Sequence, residues 1–466
     1  MPDSDLHTRQ AADGFDLVVV GAGGCGLVAA LRAAQLGAHV ALLEKTDRPG
    51  GGTALSSQSL QAGGTAVQRR QGIQDSPALY AGDIAERNGH RGDAALAERL
   101  TQSSVELVEW LAATLGLQLR VPDFPFGHSV PRSHTWTASK VLTDLLFDVV
   151  QREEPRIETF FGTAASSLAV DRDGAVTGVV TNKGTFTGRR IVLTTGGFGA
   201  SEELLARYIP KAVGIPFPGH AGSTGDGLKM ALALGADTAH MDAFQPYPAH
   251  LGPGKRAISP DIILAGGIMV GPDGRRFIDE TRYPGGLSAG ILDLPDKHAY
   301  EIFDQRILEL HRGLLETRSQ LQALIREGLF VEGATAAELA AKLGIDAAGI
   351  AETVRAYNAA VGGRDAFGRT VKTPLGTPLY GIRVTVALYH TQGGIRVNPE
   401  GQVLRADGSV IPNLYAGGGV AAGVSGDGMD GYLPGNGQLA SLGLGYITAG
   451  HAVASIRAPA AEGQAT

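Results

Sequence analysis

Apolar residues cluster in short runs near the N-terminus, and the runs alternate in character. "DLVVV" (16–20) is continuous and β-branched, which predicts a buried strand. "LVAALRAAQLG" (27–37) predicts a helix that stops at Gly37. "AHVALLEK" (38–45) predicts a second strand ending in Glu44. Farther on, "TAAELAAKLG" and "IAETVRAYNAAVGG", within 300–360, read as helices set apart from any glycine cluster. No internal repeat or low-complexity linker interrupts the pattern. No apolar run is expected to approach the length of a membrane span. Residues 1–13 and about 457–466 read as loose polar tails.

The first strand and helix are joined by Gly21, Gly23 and Gly26 in G-x-G-x-x-G spacing. Each glycine has a physical purpose. Gly21 permits a tight turn, Gly23 lets backbone reach a pyrophosphate, and Gly26 lets the helix pack closely on the strand. The helix N-terminus offers free N–H groups and a positive dipole end to phosphate. Glu44 follows Gly26 by 18 residues, where a carboxylate can take ribose hydroxyls. A second glycine-rich loop, "RPGGGTALSSQSLQAGGT" (48–65), follows that acid directly. A nicotinamide-binding domain would go straight to another helix. The extra loop suits a longer cofactor that runs on toward a flavin ring, so FAD is expected rather than NAD. Near the C-terminus, "GDGMDGYLPGNGQLAS" (426–441) packs five glycines into twelve residues around Tyr432. A segment so costly in backbone entropy is expected where backbone approaches something closely.

At 466 residues the chain is long enough for two or more domains. Its 67 glycines follow no collagen period, which fits clustered backbone–ligand approaches. Net charge is −7 and no basic run stands out, so no nucleic-acid partner is expected. Cys25 is the single cysteine. It excludes a disulfide within the chain and a cysteine-built zinc or iron–sulfur site. A polar N-terminus without an apolar core leads to the expectation of a soluble, cytoplasmic protein.

Taken together, these motifs resemble the flavoproteins related to fumarate reductase, succinate dehydrogenase and 3-ketosteroid delta-1-dehydrogenase, over about residues 15–455. The resemblance is carried by "GAGGCGLVAALRA", "LLEK" and "GGGTALSSQSLQAGG", by "IVLTTGGFGAS" (191–201), "GSTGDGLKMALALGA" (222–236) and "GGIMVGPDGRRFIDETR" (266–282), and by "YHTQGGIRVN" (389–398) and "IPNLYAGGG" (411–419). It implies an α/β fold: a discontinuous Rossmann-like FAD-binding domain, residues 1–238 and 376–466, with an inserted α+β capping domain, 239–375, over the flavin. The residues expected at the cofactor are Gly21, Gly23, Gly24, Gly26, Glu44, Lys45, Gly51, Gly52, Thr53, Gly63, Gly64, Thr195, Gly196, Asp226, Gly418 and Gly437. Succinate dehydrogenases hold FAD covalently through a histidine after the first glycine cluster. Residues 51–66 contain none, so FAD is expected to bind without a covalent link. A second strand–glycine–helix unit for NADPH is absent, which leaves electrons to an external donor or acceptor.

The resemblance also implies roles at a substrate. Arg282 in "DETRYPGG" matches the proton-donating arginine of fumarate reductases, and Tyr283 beside it is a substitute carrier. His390 matches the H-T-x-G-G histidine, which binds a carboxylate or carbonyl oxygen. Two positions depart from fumarate reductases. Tyr247 in "FQPYPAH" stands where they carry a substrate histidine, and Tyr432 where they carry a carboxylate-binding arginine. Ketosteroid dehydrogenases carry a tyrosine–proline–glycine motif near the latter point, with one residue fewer between Tyr and Pro. A ketone oxygen needs only neutral donors, and Tyr432 with the Gly437 N–H would make a small oxyanion hole. His134 and Trp136 are weaker pocket candidates, and His220 a turn cap. The expected function is an FAD-dependent oxidoreductase of a CH–CH or C=C bond next to a ketone, with a ketone or enone as the small-molecule substrate. The alternatives are a fumarate-reductase-like enzyme of an unsaturated carboxylate and a flavoprotein electron-transfer subunit.

Overall fold

The computed structural model describes residues 14–56, 59–252, 257–258, 261–282, 284–310, 324 and 326–458. Tyr283 and both proposed tails, apart from residues 457–458, lie outside the described residues. The chain divides into two compact units. One comprises the chain up to Ile209, Gly219–Phe244 and the chain from His390 on; the other comprises Pro210–Pro218 and Gln245–Tyr389.

The first unit is built on an eight-stranded sheet. Its path runs Gln402–Leu404, Val410–Ala416, Gly184–Leu193, Phe15–Val20, Val40–Leu43, Ile157–Phe160, and a hairpin of Ala165–Val170 and Val176–Thr181 adds onto Gly184–Leu193. The four central pairings are parallel, with Phe15–Val20 in register with Val40–Leu43 on one side and Gly184–Leu193 on the other. A parallel strand covered on both faces needs apolar residues at every position rather than at alternate ones. Leu17, Val18 and Val19 are all fully buried, which is why the run reads as unbroken in the sequence. The helix Gly24–Gln35 covers one face.

The C-terminal helix, Asn436–Arg457, corrects the expectation about apolar length. At 22 residues, with a mean hydropathy of 1.3 over its apolar window, it is long and apolar enough to cross a membrane; 67% of that window is buried inside the protein. It packs on the helix Gly24–Gln35 so closely that a side chain on Gly445 would overlap the Cys25 carbonyl. Cys25 is itself buried, and desolvation pushes its thiol well above the ordinary range, leaving it unreactive.

The second unit holds a five-stranded sheet in the order Phe244–His250, Leu379–Thr391, His298–Asp304, Ile268–Val270, with Phe330–Gly333 also on Leu379–Thr391. Leu379–Thr391 runs antiparallel to His298–Asp304 from His298↔Thr385 to Asp304↔Leu379. That register keeps the unit intact through Tyr389, fourteen residues past the expected join at 375/376. Two helices, Ala336–Leu343 and Ala347–Ala359, follow as the periodicity predicts, each capped at its start by a side chain, Thr335 and Asp346.

Glu301 sits in the middle of this second sheet, fully buried, opposite Met269 and Ile382. Neither carboxylate oxygen has a hydrogen-bond partner among the described residues. Desolvation pushes its pKa up to about 8 from an ordinary 4.5. Because the folded form holds the proton more tightly than the unfolded chain, stability falls as pH rises from about 4.5 through about 8. The shift corresponds to a loss on the order of 3–5 kcal/mol across that window. Glu301→Met is expected to match the wild type near pH 5 and to melt at higher temperature than it at pH 9; equal melting temperatures at pH 9 would show that Glu301 ionises without cost.

Candidate cofactor and substrate sites

Two kinds of glycine build the first loop. Gly21 has φ +111°, and a methyl there would sit 2.6 Å from the Thr194 carbonyl; on Gly26 it would overlap the Gly21 carbonyl oxygen. The chain's own packing demands these two. Gly23 and Gly52 are different. Gly23 has an ordinary φ of −78° and only van der Waals neighbours at 3.8 Å, and Gly52 has open space around a would-be Cβ. Nothing among the described residues needs glycine at these positions, so the space they leave fits a group from outside the chain. No side chain caps the helix that starts at Gly24, so its first N–H groups are available to phosphate.

The surrounding residues hold this cradle. Glu44 Oε2 accepts from the Ala22 N–H at 2.9 Å, and its Oε1 accepts from the Thr46 N–H and hydroxyl. Gly51 (φ +61°) brings the second loop against Gly23, and the Gly50 N–H donates to the Ala22 carbonyl. The buried Thr53 packs on Gly24, and Gly418 (φ +69°) packs on Cys25. Thr194 donates to the Val20 and Gly21 carbonyls, and Thr195 accepts from the Gly227 N–H. Lys45 and Asp226, both expected at the cofactor, pair with each other at 2.7 Å. Gly196 and Gly64 take left-handed conformations, and a side chain on Gly63 would press on the Ser76 carbonyl.

The glycine-rich C-terminal segment answers mainly to its own chain. A side chain on Gly431 would overlap the Ser425 carbonyl, and one on Gly435, the left-handed N-cap of the last helix, would overlap Gln61. On Gly437 a methyl would sit 2.8 Å from Nε2 and Cε1 of His390. These glycines seat Tyr432 and His390, whose rings meet edge to face at 5.6 Å.

Tyr432 is buried, and desolvation pushes its pKa up to about 12 against hydrogen bonds from the Gly435 and Gly437 amides. Those amides belong to the uncapped start of the last helix. Gly437 also lies beside the phenol: a Cβ there would sit 3.7 Å from the Tyr432 hydroxyl oxygen. His390 is held neutral: desolvation lowers its pKa to about 4, partly opposed by the Thr391 carbonyl. Sequence reasoning missed Gln392, whose side-chain amide lies 2.8 Å from His390 Nδ1. Its place as the variable residue of H-T-x-G-G gave no signal.

The other candidates fall elsewhere. His134 is fully buried and bonds Thr65 at 2.7 Å, and His220 Nδ1 accepts from the Gly222 N–H within its own turn. Trp136 is buried in the hydrophobic core. In the second unit Tyr247 donates to the Ile258 carbonyl at 2.6 Å and stacks on Tyr389 at 5.0 Å. Arg282 is exposed, its guanidinium folded over Gly286. Its neighbour Glu280 is fully buried between Arg276 and Arg369 at 2.7 and 2.8 Å.

The two kinds of glycine should separate experimentally. Gly52→Ala is expected to fold with an unchanged apoprotein melting temperature and to lose bound flavin. Gly26→Ala is expected to give no folded protein. Full flavin occupancy in Gly52→Ala, measured by absorbance per chain, would show that nothing from outside the chain uses that space.

The chain is similar to known proteins over most of its length. The family described as FAD binding domain matches residues 16–439. The chain is 31% identical to the NADH:fumarate oxidoreductase of Klebsiella pneumoniae over 89% of its own length and 45% of that protein's. It is 32% identical to the urocanate reductase of Eggerthella lenta over 88% of itself and 71% of that protein. Among solved structures it resembles the open conformation of a flavocytochrome c3 fumarate reductase, with TM-score 0.80 and 30% identity over 95% of this chain and 78% of that one. It also resembles the 3-ketosteroid-delta4-(5alpha)-dehydrogenase of Rhodococcus jostii RHA1, with TM-score 0.77 and 25% identity over 97% and 99%. The chain belongs to the FAD-binding-domain family of FAD-dependent oxidoreductases, within the fumarate reductase and succinate dehydrogenase flavoprotein superfamily.

Proposed function

We propose that this protein exchanges electrons with a carbon–carbon bond next to a ketone, on a cyclic-ketone or steroid-like substrate. The observation that carries the reading is the charge of the polar pair in the first unit. His390 is neutral above about pH 4 and Tyr432 below about pH 12, so neither is a cation at neutral pH. Dicarboxylates call for cations or bidentate arginines, whereas a carbonyl oxygen calls for neutral donors. The buried arginine near this segment, Arg132, is already matched to Asp75 and Asp83 at 3.1 Å each. Exposed aromatic surface adds support. Phe124 and Phe126 meet edge to face at 4.7 Å on a loop that His128 Nε2 fastens to the Pro434 carbonyl at 2.8 Å. Phe126 keeps a strained φ of +50° in doing so.

FAD, when bound, supplies or accepts the hydride. The residues of this chain have a complementary task. Tyr432 O–H donates to the carbonyl oxygen, with His390 as a second neutral donor, and both bonds strengthen as that oxygen gains enolate charge. Arg282 is the proton carrier in this reading by its match to the family motif, with Tyr283 as its substitute, and Tyr247 stands where fumarate reductases carry a substrate histidine. A second reading, reduction of an unsaturated carboxylate, is favoured by the fumarate and urocanate reductases among the relatives and by His390 in its H-T-x-G-G setting. An external electron donor or acceptor belongs to both.

FAD is expected to come free of the polypeptide on acid precipitation, since residues 51–66 offer no histidine; flavin retained on the denatured chain would contradict this. Reduced enzyme mixed without air with a cyclic enone is expected to lose its electrons faster than with fumarate. Tyr432→Phe is expected to keep its FAD and to slow that step by about 10²–10³-fold. Fast fumarate turnover with no enone turnover would transfer the assignment to the carboxylate reading. A wild-type rate in Tyr432→Phe would remove the phenol from the chemistry.

A further inference from the structure

We infer that Gln392, Ser425 and Asn436 form a directed hydrogen-bond chain that holds His390 as a donor at Nε2, making Gln392 a positioning residue for the substrate carbonyl. The chain starts at the first residue of the last helix. Asn436 Nδ2 donates to Ser425 Oγ at 3.4 Å, so the Ser425 hydroxyl proton is free to go onward. It goes to Gln392 Oε1 at 2.9 Å. That contact fixes which end of the Gln392 amide faces which way. The Nε2 end then faces His390 and donates to Nδ1 at 2.8 Å. A ring nitrogen that accepts carries no hydrogen, so in the neutral imidazole the proton must sit on Nε2.

Two other contacts compete, and both are weaker. Nδ1 lies 3.3 Å from the Thr391 carbonyl, which would need the opposite tautomer, and the Gln392 nitrogen is 3.5 Å from Nε2. The 2.8 Å bond outranks both by length. The backbone pins Gln392 for this purpose: its N–H donates to the Ala243 carbonyl and its carbonyl accepts from the Gly423 N–H, each at 2.8 Å. Gln392, Ser425 and Asn436 are all buried, so solvent does not offer the amide another partner. On the opposite side of the imidazole, Gly437 leaves room for Nε2 and Tyr432 lies edge-on. Two neutral donors, one imidazole N–H and one phenol O–H, thus share one corner of the first unit.

This inference rests on the proposed role of His390 at the carbonyl, and the test separates the two. Holoenzyme labelled with ¹⁵N-histidine would be compared with His390→Asn to assign the His390 ring signals. The expected spectrum shows protonated Nε2 and bare Nδ1. Gln392→Glu offers an acceptor in place of a donor and is expected to move the proton to Nδ1. Enone turnover should then fall by about 10-fold or more at unchanged FAD content, with kcat affected more than KM. Ser425→Ala, a milder change, is expected to let the Gln392 amide turn and to give a mixture of tautomers. A wild-type His390 protonated at Nδ1 would overturn the inference. A proton that moves in Gln392→Glu with no change in enone turnover would leave the hydrogen-bond chain standing and overturn the role of His390 at the carbonyl.

Discussion

The first unit depends on how tightly residues 21–26 fold back on themselves. The Gly21 carbonyl occupies the place where a Cβ on residue 26 would be, so strand and helix join with no slack. That closeness sets where the helix begins, and with it where its uncapped amides sit. Glu44 then ties the turn from the next strand by holding the Ala22 N–H. The second glycine loop stacks on Gly23, and the last helix packs on Cys25 through Gly445. At Gly26 and Gly445 the contact is backbone against a would-be Cβ, a geometry that no larger residue permits.

Charge is distributed with equal economy. The second unit concentrates ions in its interior: Glu280 and Asp365 lie against Arg276, and Glu280 also takes Arg369, while Arg276 Cζ lies 4.8 Å over the Phe367 ring. Buried pairs of this kind need every partner, because removing one leaves an unpaired charge. Tyr432 and His390 in the first unit show the opposite arrangement. They are polar, desolvated and uncharged, and the His390 ring is held by the Gln392 amide rather than by an ion pair. Neutral donors in a dry setting discriminate between carbonyl and carboxylate, since only the latter demands a countercharge.

Much of this was legible in the sequence, for definite reasons. The strand–turn–helix–strand start was readable because full burial makes the runs unbroken and because Gly21 and Gly26 have no substitutes. The loop 48–65 was readable because its glycines follow the acid with no helix between. The C-terminal helix was missed as an apolar element because Gly and Ala, used there for close packing, dilute its pattern. The end of the second unit was misplaced because a strand's partner, not its composition, decides which sheet it joins: Leu379–Thr391 belongs with His298–Asp304 by register. Lys45 and Asp226 were both found, but their mutual pairing across 181 residues of sequence leaves no trace in either local motif.

In the segment 426–441 the glycines also serve the chain's own packing. Its glycines suggest backbone laid against a cofactor, yet Gly431, Gly435 and Gly437 are spent on Ser425, Gln61 and His390. What they achieve is the seating of two side chains. A cofactor cradle made of backbone does not depend on the identity of nearby side chains. The same fold, at TM-scores of 0.80 and 0.77, is shared with a flavocytochrome c3 fumarate reductase and a 3-ketosteroid dehydrogenase. Substrate preference in such a fold is a property of a few donors and their charge. In this chain burial keeps the His390 imidazole and the Tyr432 phenol uncharged, with Gly437 beside the ring and Gln392 behind it.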